Sequence, residues 1–185
     1  MSEDPQESLD LFDDHEEVVS EDGKKVTRKG IYLLPNLLTT ASLFSGFFSI
    51  ISAINGNFIA SGMALFAAQM LDGLDGRVAR LTNSQSLFGA QYDSLCDVIS
   101  FGLAPAIIVF LWGLDSMGQA GWVFSFLYVA AAALRLARFN TYIGSEDTYF
   151  KGLPSPVASG MVVYFVWAMS SYGIQGEEVG AILAI

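Results

Sequence analysis

The chain has 185 residues, of which 52% are hydrophobic and 15% are charged, and its formal net charge is −10. Soluble globular domains usually have about a quarter of their residues charged, so this composition predicts a membrane protein. The single cysteine, Cys96, excludes an intramolecular disulfide, and the single histidine, His15, argues against histidine-based catalysis, which leaves carboxylates as the available acid–base and metal-binding groups.

The negative charge is concentrated at the N-terminus. Residues 1–22 contain ten Asp or Glu residues and no Lys or Arg, so the rest of the chain carries nine acids and nine bases. This segment has too few apolar residues to fold alone, and we expect residues 1–29 to form a disordered cytoplasmic tail. It lacks the basic start and apolar run of a signal peptide. Residues 30–185 are predicted to form one transmembrane domain.

Apolar residues come in long runs separated by short polar or glycine-rich breaks. Period-2 alternation is absent, which predicts helices rather than barrel strands. The runs are Leu37–Ile54, Phe58–Met70, Val98–Gly113, Trp122–Leu134, Val157–Tyr172 and Val179–Ile185. We predict an all-α, polytopic transmembrane helix bundle with five complete helices and the start of a sixth. Because the last run stops in its middle, we expect the chain to lack a C-terminal part.

The basic residues predict the orientation of these helices. If successive helices alternate in direction, all nine Lys and Arg residues lie on one side of the membrane. They are Lys24, Lys25, Arg28, Lys29, Arg77, Arg80, Arg135, Arg138 and Lys151. By the positive-inside rule that side is cytoplasmic, which predicts an inner-membrane protein with its N-terminus and its functional site facing the cytoplasm.

Two of the apolar runs are too short to cross a bilayer. Phe58–Met70 and Trp122–Leu134 have 13 residues each, about 20 Å of helix against a hydrocarbon core of about 30 Å. Their helices must therefore continue past Asp72 and Arg135, below the cytoplasmic membrane surface. Charges at that depth normally face a polar cavity or a partner. We predict one hydrophilic cavity, open to the cytoplasm, that brings the acids and arginines together.

The acids are concentrated in "LDGLDGRVARLTNSQSLFGAQYDSLCD", Leu71 to Asp97. Asp72 and Asp75 are three residues apart and Asp93 and Asp97 four apart, so on helices each pair shares a face. Four converging carboxylates would repel one another unless a divalent cation lay between them. Oxygen ligands favour Mg²⁺ or Mn²⁺, and Mg²⁺ sites commonly include substrate phosphates.

Small and basic residues beside the acids suit a phosphate ligand. Gly73, Gly76 and Gly89 leave room for close approach to the backbone, and Arg80 lies one turn beyond Gly76.

Two other interpretations of the acids stay open at this point. One is a set of salt bridges that tie helices together, such as Asp72 with Arg80 or Asp93 with Arg135. The other is a proton or cation pathway, as in a transporter. The acids outnumber the two arginines of their own stretch, which disfavours the salt-bridge interpretation.

The spacing of the stretch is more specific than its composition. The pattern Asp72-x2-Asp75-Gly76-x2-Ala79-Arg80-x8-Gly89-x3-Asp93-x3-Asp97 resembles, at every fixed position, the signature of the CDP-alcohol phosphatidyltransferase family. The resemblance implies that Asp72, Asp75 and Asp93 bind two divalent metals. It also implies that Asp97 is the general base, near the same metals, and that Gly76 and Arg80 line the CDP site. Members of the family are homodimers, so a homodimer is expected.

Three further stretches, "PNLLT" (35–39), "ALRLARFN" (133–140) and "FKGLPSP" (150–156), resemble the phosphatidylserine synthase branch of that family. This resemblance implies transfer of a phosphatidyl group from CDP-diacylglycerol to L-serine, with release of CMP. Another acceptor, such as glycerol 3-phosphate or an inositol phosphate, is the alternative within the same chemistry.

Several residues outside the aspartates are predicted to contact substrate. Arg135 and Arg138, three apart on the fourth helix, are candidates to bind the serine carboxylate or a donor phosphate bidentately, and Lys151 is a weaker candidate. Asn36, Thr39 and Gly89 are candidates for the donor site. Asn36 and Thr39 are alternatively expected to cap the first helix. The three tryptophans, Trp112, Trp122 and Trp167, are expected at the membrane interface or facing lipid.

Overall fold

The structure is a computed structural model that describes residues 33–141, 153–174 and 176. Within these residues it is helical and contains no strand. The α-helices are α1 (Leu33–Ile54), α2 (Phe58–Leu81), α3 (Leu87–Asp97), α4 (Ala104–Trp112), α5 (Gln119–Thr141) and α6 (Ser155–Ser171). A π-helical segment, Val98–Leu103, joins α3 to α4 without a break, and we call α3, this segment and α4 together the third helix. A 3₁₀ turn, Leu114–Met117, leads to α5.

The all-α prediction and the five long helices are confirmed. α2 continues past Asp72 to Leu81, and α5 continues past Arg135 to Thr141, as the short apolar runs require. In the described part of the chain, three helices are long and apolar enough to cross a membrane: Leu33–Ile54, Phe88–Trp112 and Gln119–Asn140. α2 is long but carries four charged residues, and α6 has 17 residues. The chain is therefore a membrane protein, and the predicted sixth helix lies outside the described residues.

The contacts between helices define one end of the bundle that we call the site end. Hydrogen bonds pair Ser42 with Ala68 on α2 and Ser49 with Ser61, so α1 and α2 are antiparallel. Contacts at two heights show that the helix beginning with α3 runs parallel to α1 and antiparallel to α5, and that α6 runs antiparallel to α2. The site end thus comprises the starts of α1, α3 and α6 and the ends of α2 and α5.

α1 and α2 are joined by hydroxyl groups that bond to backbone. Ser42, Ser45 and Ser49 donate to the carbonyl oxygens of Ala68, Ala64 and Ser61, at 2.9, 2.9 and 2.8 Å. Small residues let the two backbones approach closely, and bonds of this kind hold helices together where lipid removes the hydrophobic driving force. The α1–α2 hairpin therefore fixes which residues of α1 lie level with the acids of α2.

The third helix packs against α1 through the π-helical segment. A Cβ on Gly46 would lie 2.6 Å from Ser100 Oγ, so α1 can approach this segment only because residue 46 is a glycine. Phe101, in the same segment, is fully buried. π-Helical turns insert an extra residue and change which side chains face the core. Here the change follows directly after Asp97.

The expectation for the tryptophans is wrong at one position. Trp112 is buried, 6% exposed, and packs edge-on against Phe165 with ring centroids 6.1 Å apart. Trp122 is 55% exposed, as expected. The sequence places both residues near the ends of apolar runs, and only the packing of α4 against α6 distinguishes them.

Candidate active site

The site end of α2 and the start of the third helix bring three carboxylates together. One oxygen from each of Asp72, Asp75 and Asp93 lies within 4.8 Å of the other two. Asp75 is buried, 5% exposed, and Asp72 and Asp93 are partly buried. Their convergence follows from helix geometry, because Asp72 and Asp75 are one turn apart on α2 while Asp93 faces them from α3.

Asp97 adjoins this triangle from the next turn of the third helix. Its carboxyl group lies beside that of Asp72. Asp97 is the last residue of α3, and the π-helical segment begins at Val98. All four aspartates singled out in the sequence therefore belong to one cluster, with Asp97 joined to it through Asp72.

The cluster fits a divalent cation. Ligands of an octahedral Mg²⁺ are about 2.9 Å apart when adjacent and about 4.2 Å apart when opposite, so three oxygens within 4.8 Å of one another need side-chain movements of about 1 Å to bind one ion. Asp93 Oδ1 is buried and has no hydrogen-bond partner among the described residues. A buried carboxylate oxygen without a partner is costly, and a metal ion is a ligand that would satisfy it. The carboxylate-only donor set suits a hard cation.

Thr39 supports the cluster from α1. Its hydroxyl group lies 2.6 Å from Asp75 Oδ2 and 3.1 Å from the carbonyl oxygen of Pro35. Thr39 is the seventh residue of α1 and Asn36 the fourth, so the expectation that they cap this helix is wrong. The sequence contains no signal for the Thr39–Asp75 contact, because 36 residues separate the two and the α1–α2 hairpin alone sets their register.

The predicted donor-site residues lie around the cluster. Gly73 and Gly76 are exposed, and in the described part of the chain a Cβ at either position would meet nothing within 4 Å. Gly89 lies opposite Asn36, whose Oδ1 would be 3.3 Å from a Cβ there. The structure thus places open backbone beside the carboxylates of α2.

Arg80 does not form the salt bridge with Asp72 that the alternative, helix-fastening interpretation requires. It is exposed and donates from Nε to the carbonyl oxygen of Gly76, at 3.0 Å. Asp72 is directed toward Asp97 instead. This arrangement argues against the interpretation in which the acids serve to fasten helices.

The arginines of α5 lie beside α6. Arg135 Nη1 donates to Ser155 Oγ at 2.6 Å, and Arg138 is exposed one turn further on. Arg135 also lines a cavity of about 150 Å³ between the third helix, α5 and α6. None of the four aspartates lines this cavity, so a single cavity shared by acids and arginines stays a prediction. Lys151 lies outside the described residues.

Comparison with known proteins identifies the family. The family model for CDP-alcohol phosphatidyltransferases matches residues 32–184. The chain belongs to the CDP-alcohol phosphatidyltransferase family. The match includes the whole aspartate cluster and the helices that form it.

The names of the chain's curated relatives are more specific than the description of the family. CDP-diacylglycerol–serine O-phosphatidyltransferase of Helicobacter pylori (strain ATCC 700392 / 26695) is 45% identical over 143 residues, covering 77% of this chain and 60% of that protein. The Mycobacterium bovis protein of the same name is 36% identical over 159 residues, covering 82% and 55%. Archaetidylserine synthase of Methanothermobacter thermautotrophicus is 39% identical over 144 residues, covering 77% and 60%. The chain thus spans little more than half the length of these relatives.

Proposed function

We propose that the protein transfers the phosphatidyl group of CDP-diacylglycerol to L-serine, forming phosphatidylserine and releasing CMP. The observation that carries the proposal is the triangle of Asp72, Asp75 and Asp93 oxygens within 4.8 Å of one another, with the Asp97 carboxyl group beside Asp72. Family membership supports this chemistry, and the names of the relatives, each of which includes serine, support the acceptor.

The aspartates have separate roles in this proposal. Asp72, Asp75 and Asp93 hold two divalent ions, Mg²⁺ or Mn²⁺, with Asp97 close to the same ions. Bound there, the metals supply charge stabilisation to the diphosphate of the donor. Asp97 accepts the proton of the serine hydroxyl, whose oxygen bonds to the phosphorus that carries diacylglycerol. The bond from that phosphorus to the CMP oxygen breaks, and CMP leaves with the electron pair.

The residues around the cluster bind and orient the substrates. Open backbone at Gly76, together with Arg80, Gly89 and Asn36, contacts the CDP portion of the donor. Thr39, given its bond to Asp75, acts by orienting a carboxylate. Arg135 and Arg138 are proposed to bind the serine carboxylate or a donor phosphate, since guanidinium groups bind both bidentately. Lys151 stays a weaker candidate for the same role.

The membrane context follows from the same arrangement. The acids lie at one end of a bundle of apolar helices, which suits a lipid donor whose acyl chains stay in the bilayer while its nucleotide reaches water. The distribution of basic residues supports a cytoplasmic position for this end. A homodimer is proposed from family membership alone.

A CMP-release assay tests the acceptor. The purified protein in detergent–lipid micelles is given CDP-diacylglycerol with Mg²⁺ or Mn²⁺ and then serine, glycerol 3-phosphate or an inositol phosphate. Of the three acceptors, we expect only serine to give release of CMP, and we expect this release to require the metal. Release with glycerol 3-phosphate but not with serine would leave the reaction type in place and refute the acceptor.

The Asp97→Asn variant distinguishes the enzyme hypothesis from the cation-transporter hypothesis. The substitution removes the proton acceptor but keeps the size of the side chain, so we expect Mn²⁺ binding to persist and turnover to fall by about 10² or more. A transporter would show ion flux into proteoliposomes without nucleotide and little loss in this variant. Full CMP release by Asp97→Asn would refute the role of Asp97 as base.

A further inference from the structure

Gln69, one turn before Asp72 on α2, joins α2 to the start of α6. Its Nε2 donates to the carbonyl oxygen of Pro156 at 2.6 Å and to Ser159 Oγ at 3.2 Å. Its Oε1 accepts a hydrogen bond from Tyr164 OH. The carboxamide therefore bonds to three groups of one helix, and this partner set fixes which atom is oxygen and which is nitrogen.

The surroundings of this contact leave little freedom. Ser159 is fully buried and itself donates to the Pro156 carbonyl oxygen at 2.8 Å. A Cβ on Gly160 would lie 3.0 Å from Gln69 Nε2, so the glycine gives the amide its place against α6. In an apolar bundle, an amide bonded in this way holds two helices in one register.

The first turn of α6 also supports Arg135. Ser155, which accepts the hydrogen bond from Arg135 Nη1, is buried and immediately precedes Pro156. Gln69 is therefore bonded to Pro156, and the preceding residue, Ser155, is bonded to Arg135. These contacts link α2, α6 and α5 in a continuous series, from the turn before Asp72 to the guanidinium group.

We propose that Gln69 is a positioning residue that sets Arg135 relative to the carboxylate cluster. The proposal rests on the proposed function for the role of Arg135 in binding substrate. Gln69 acts on the arginine rather than on the carboxylates because Asp72 and Asp75 belong to its own continuous helix, and Asp93 and Asp97 to the third helix. Loss of the amide would let α6 shift and carry Ser155 with it, while the cluster stays intact.

Gln69→Leu tests the proposal, because it removes the carboxamide at similar volume. We expect the KM for serine to rise by about tenfold or more, since small displacements of a binding group have effects of this size. The dissociation constant for Mn²⁺, measured by electron paramagnetic resonance, should stay within about twofold, as expected for sites that do not share partners. Ser45→Ala is the matched control, since it also removes a side-chain hydrogen bond between two helices, in this case from α1 to the α2 backbone.

A second measurement does not depend on activity. The rate of phenylglyoxal modification at Arg135 is compared with that at Arg77, an exposed arginine of α2, by mass spectrometry of the same sample. We expect Arg135 to react faster in Gln69→Leu and in Ser155→Ala, with no further increase when the two are combined. Ser45→Ala should leave the ratio unchanged. Gln69→Asn, which keeps the amide but is one methylene shorter, replaces Gln69→Leu if the latter does not fold.

The possible results distinguish this inference from the proposed function. An unchanged Arg135 reactivity in the Gln69 variant, or a weakened Mn²⁺ affinity equal to its loss of activity, would overturn the inference. Absence of serine-dependent CMP release from the unmodified protein would refute the proposed function. In that case a faster reaction at Arg135 in the Gln69 variant would still establish the link between α2 and Arg135.

Discussion

Replacement of Thr39 by valine isolates the contribution of α1 to the carboxylate cluster. The change removes the hydroxyl group and keeps the branched shape, so packing at this buried position, 4% exposed, is retained. Asp75 Oδ2 then loses a partner at 2.6 Å. The hydroxyl carries one proton, and the shorter contact to the carboxylate, rather than the 3.1 Å contact to Pro35, is the stronger of its two bonds.

The expected magnitude follows from the kind of bond that is lost. A hydrogen bond to a charged group contributes about 1.5–3 kcal/mol. Partners that orient metal-binding carboxylates typically affect metal affinity or activity by about 10- to 100-fold, which corresponds to a similar free energy. We therefore expect Thr39→Val to weaken Mn²⁺ binding and to raise the Mn²⁺ concentration for half-maximal CMP release by about 10-fold or more.

Thr40→Val is the matched control for this experiment. Thr40 is the next residue of α1, but it is exposed, and its hydroxyl group contacts the Asn36 carbonyl oxygen and Tyr92 OH rather than an aspartate. Both variants are titrated with Mn²⁺ in binding and in turnover assays. Equal Mn²⁺ affinities for Thr39→Val, Thr40→Val and the unmodified protein would refute the view that Thr39 orients a metal ligand.

Three further substitutions test other parts of the structure. Asp93→Asn should weaken Mn²⁺ binding by about 10-fold or more while helical content by circular dichroism is retained, because it removes a ligand charge from the triangle. Gly76→Ala should not lower the thermal unfolding temperature in detergent, since alanine favours a helix more than glycine does and a Cβ there meets no described atom within 4 Å. It should raise the KM for CDP-diacylglycerol, and an unchanged KM would exclude close approach of the donor. Gly46→Ala should lower the free energy of unfolding by about 1–3 kcal/mol through overpacking against Ser100. An unfolding temperature equal to that of the unmodified protein would contradict the close packing of α1 against Ser100.

Much of the cluster was predictable because it depends on local spacing. Asp72 and Asp75, like Asp93 and Asp97, are close in the chain, and the period of a helix places each pair on one face whatever the rest of the bundle does. Apolar run lengths likewise predicted that α2 and α5 extend past Asp72 and Arg135, since a helix must span a minimum thickness of lipid. The convergence of the two pairs was inferred from the cost of isolated buried charge.

Contacts between distant residues could not be obtained in this way. Thr39 with Asp75, Gln69 with Pro156 and Arg135 with Ser155 each join different helices, so these contacts depend on how the helices pack. The burial of Trp112 depends on the same packing. Composition and periodicity specified the helices and which residues share a face, because these depend on neighbours in the chain. The tertiary structure alone decided which groups contact the carboxylates and the arginine, because these contacts depend on how closely the helices approach one another and on their register.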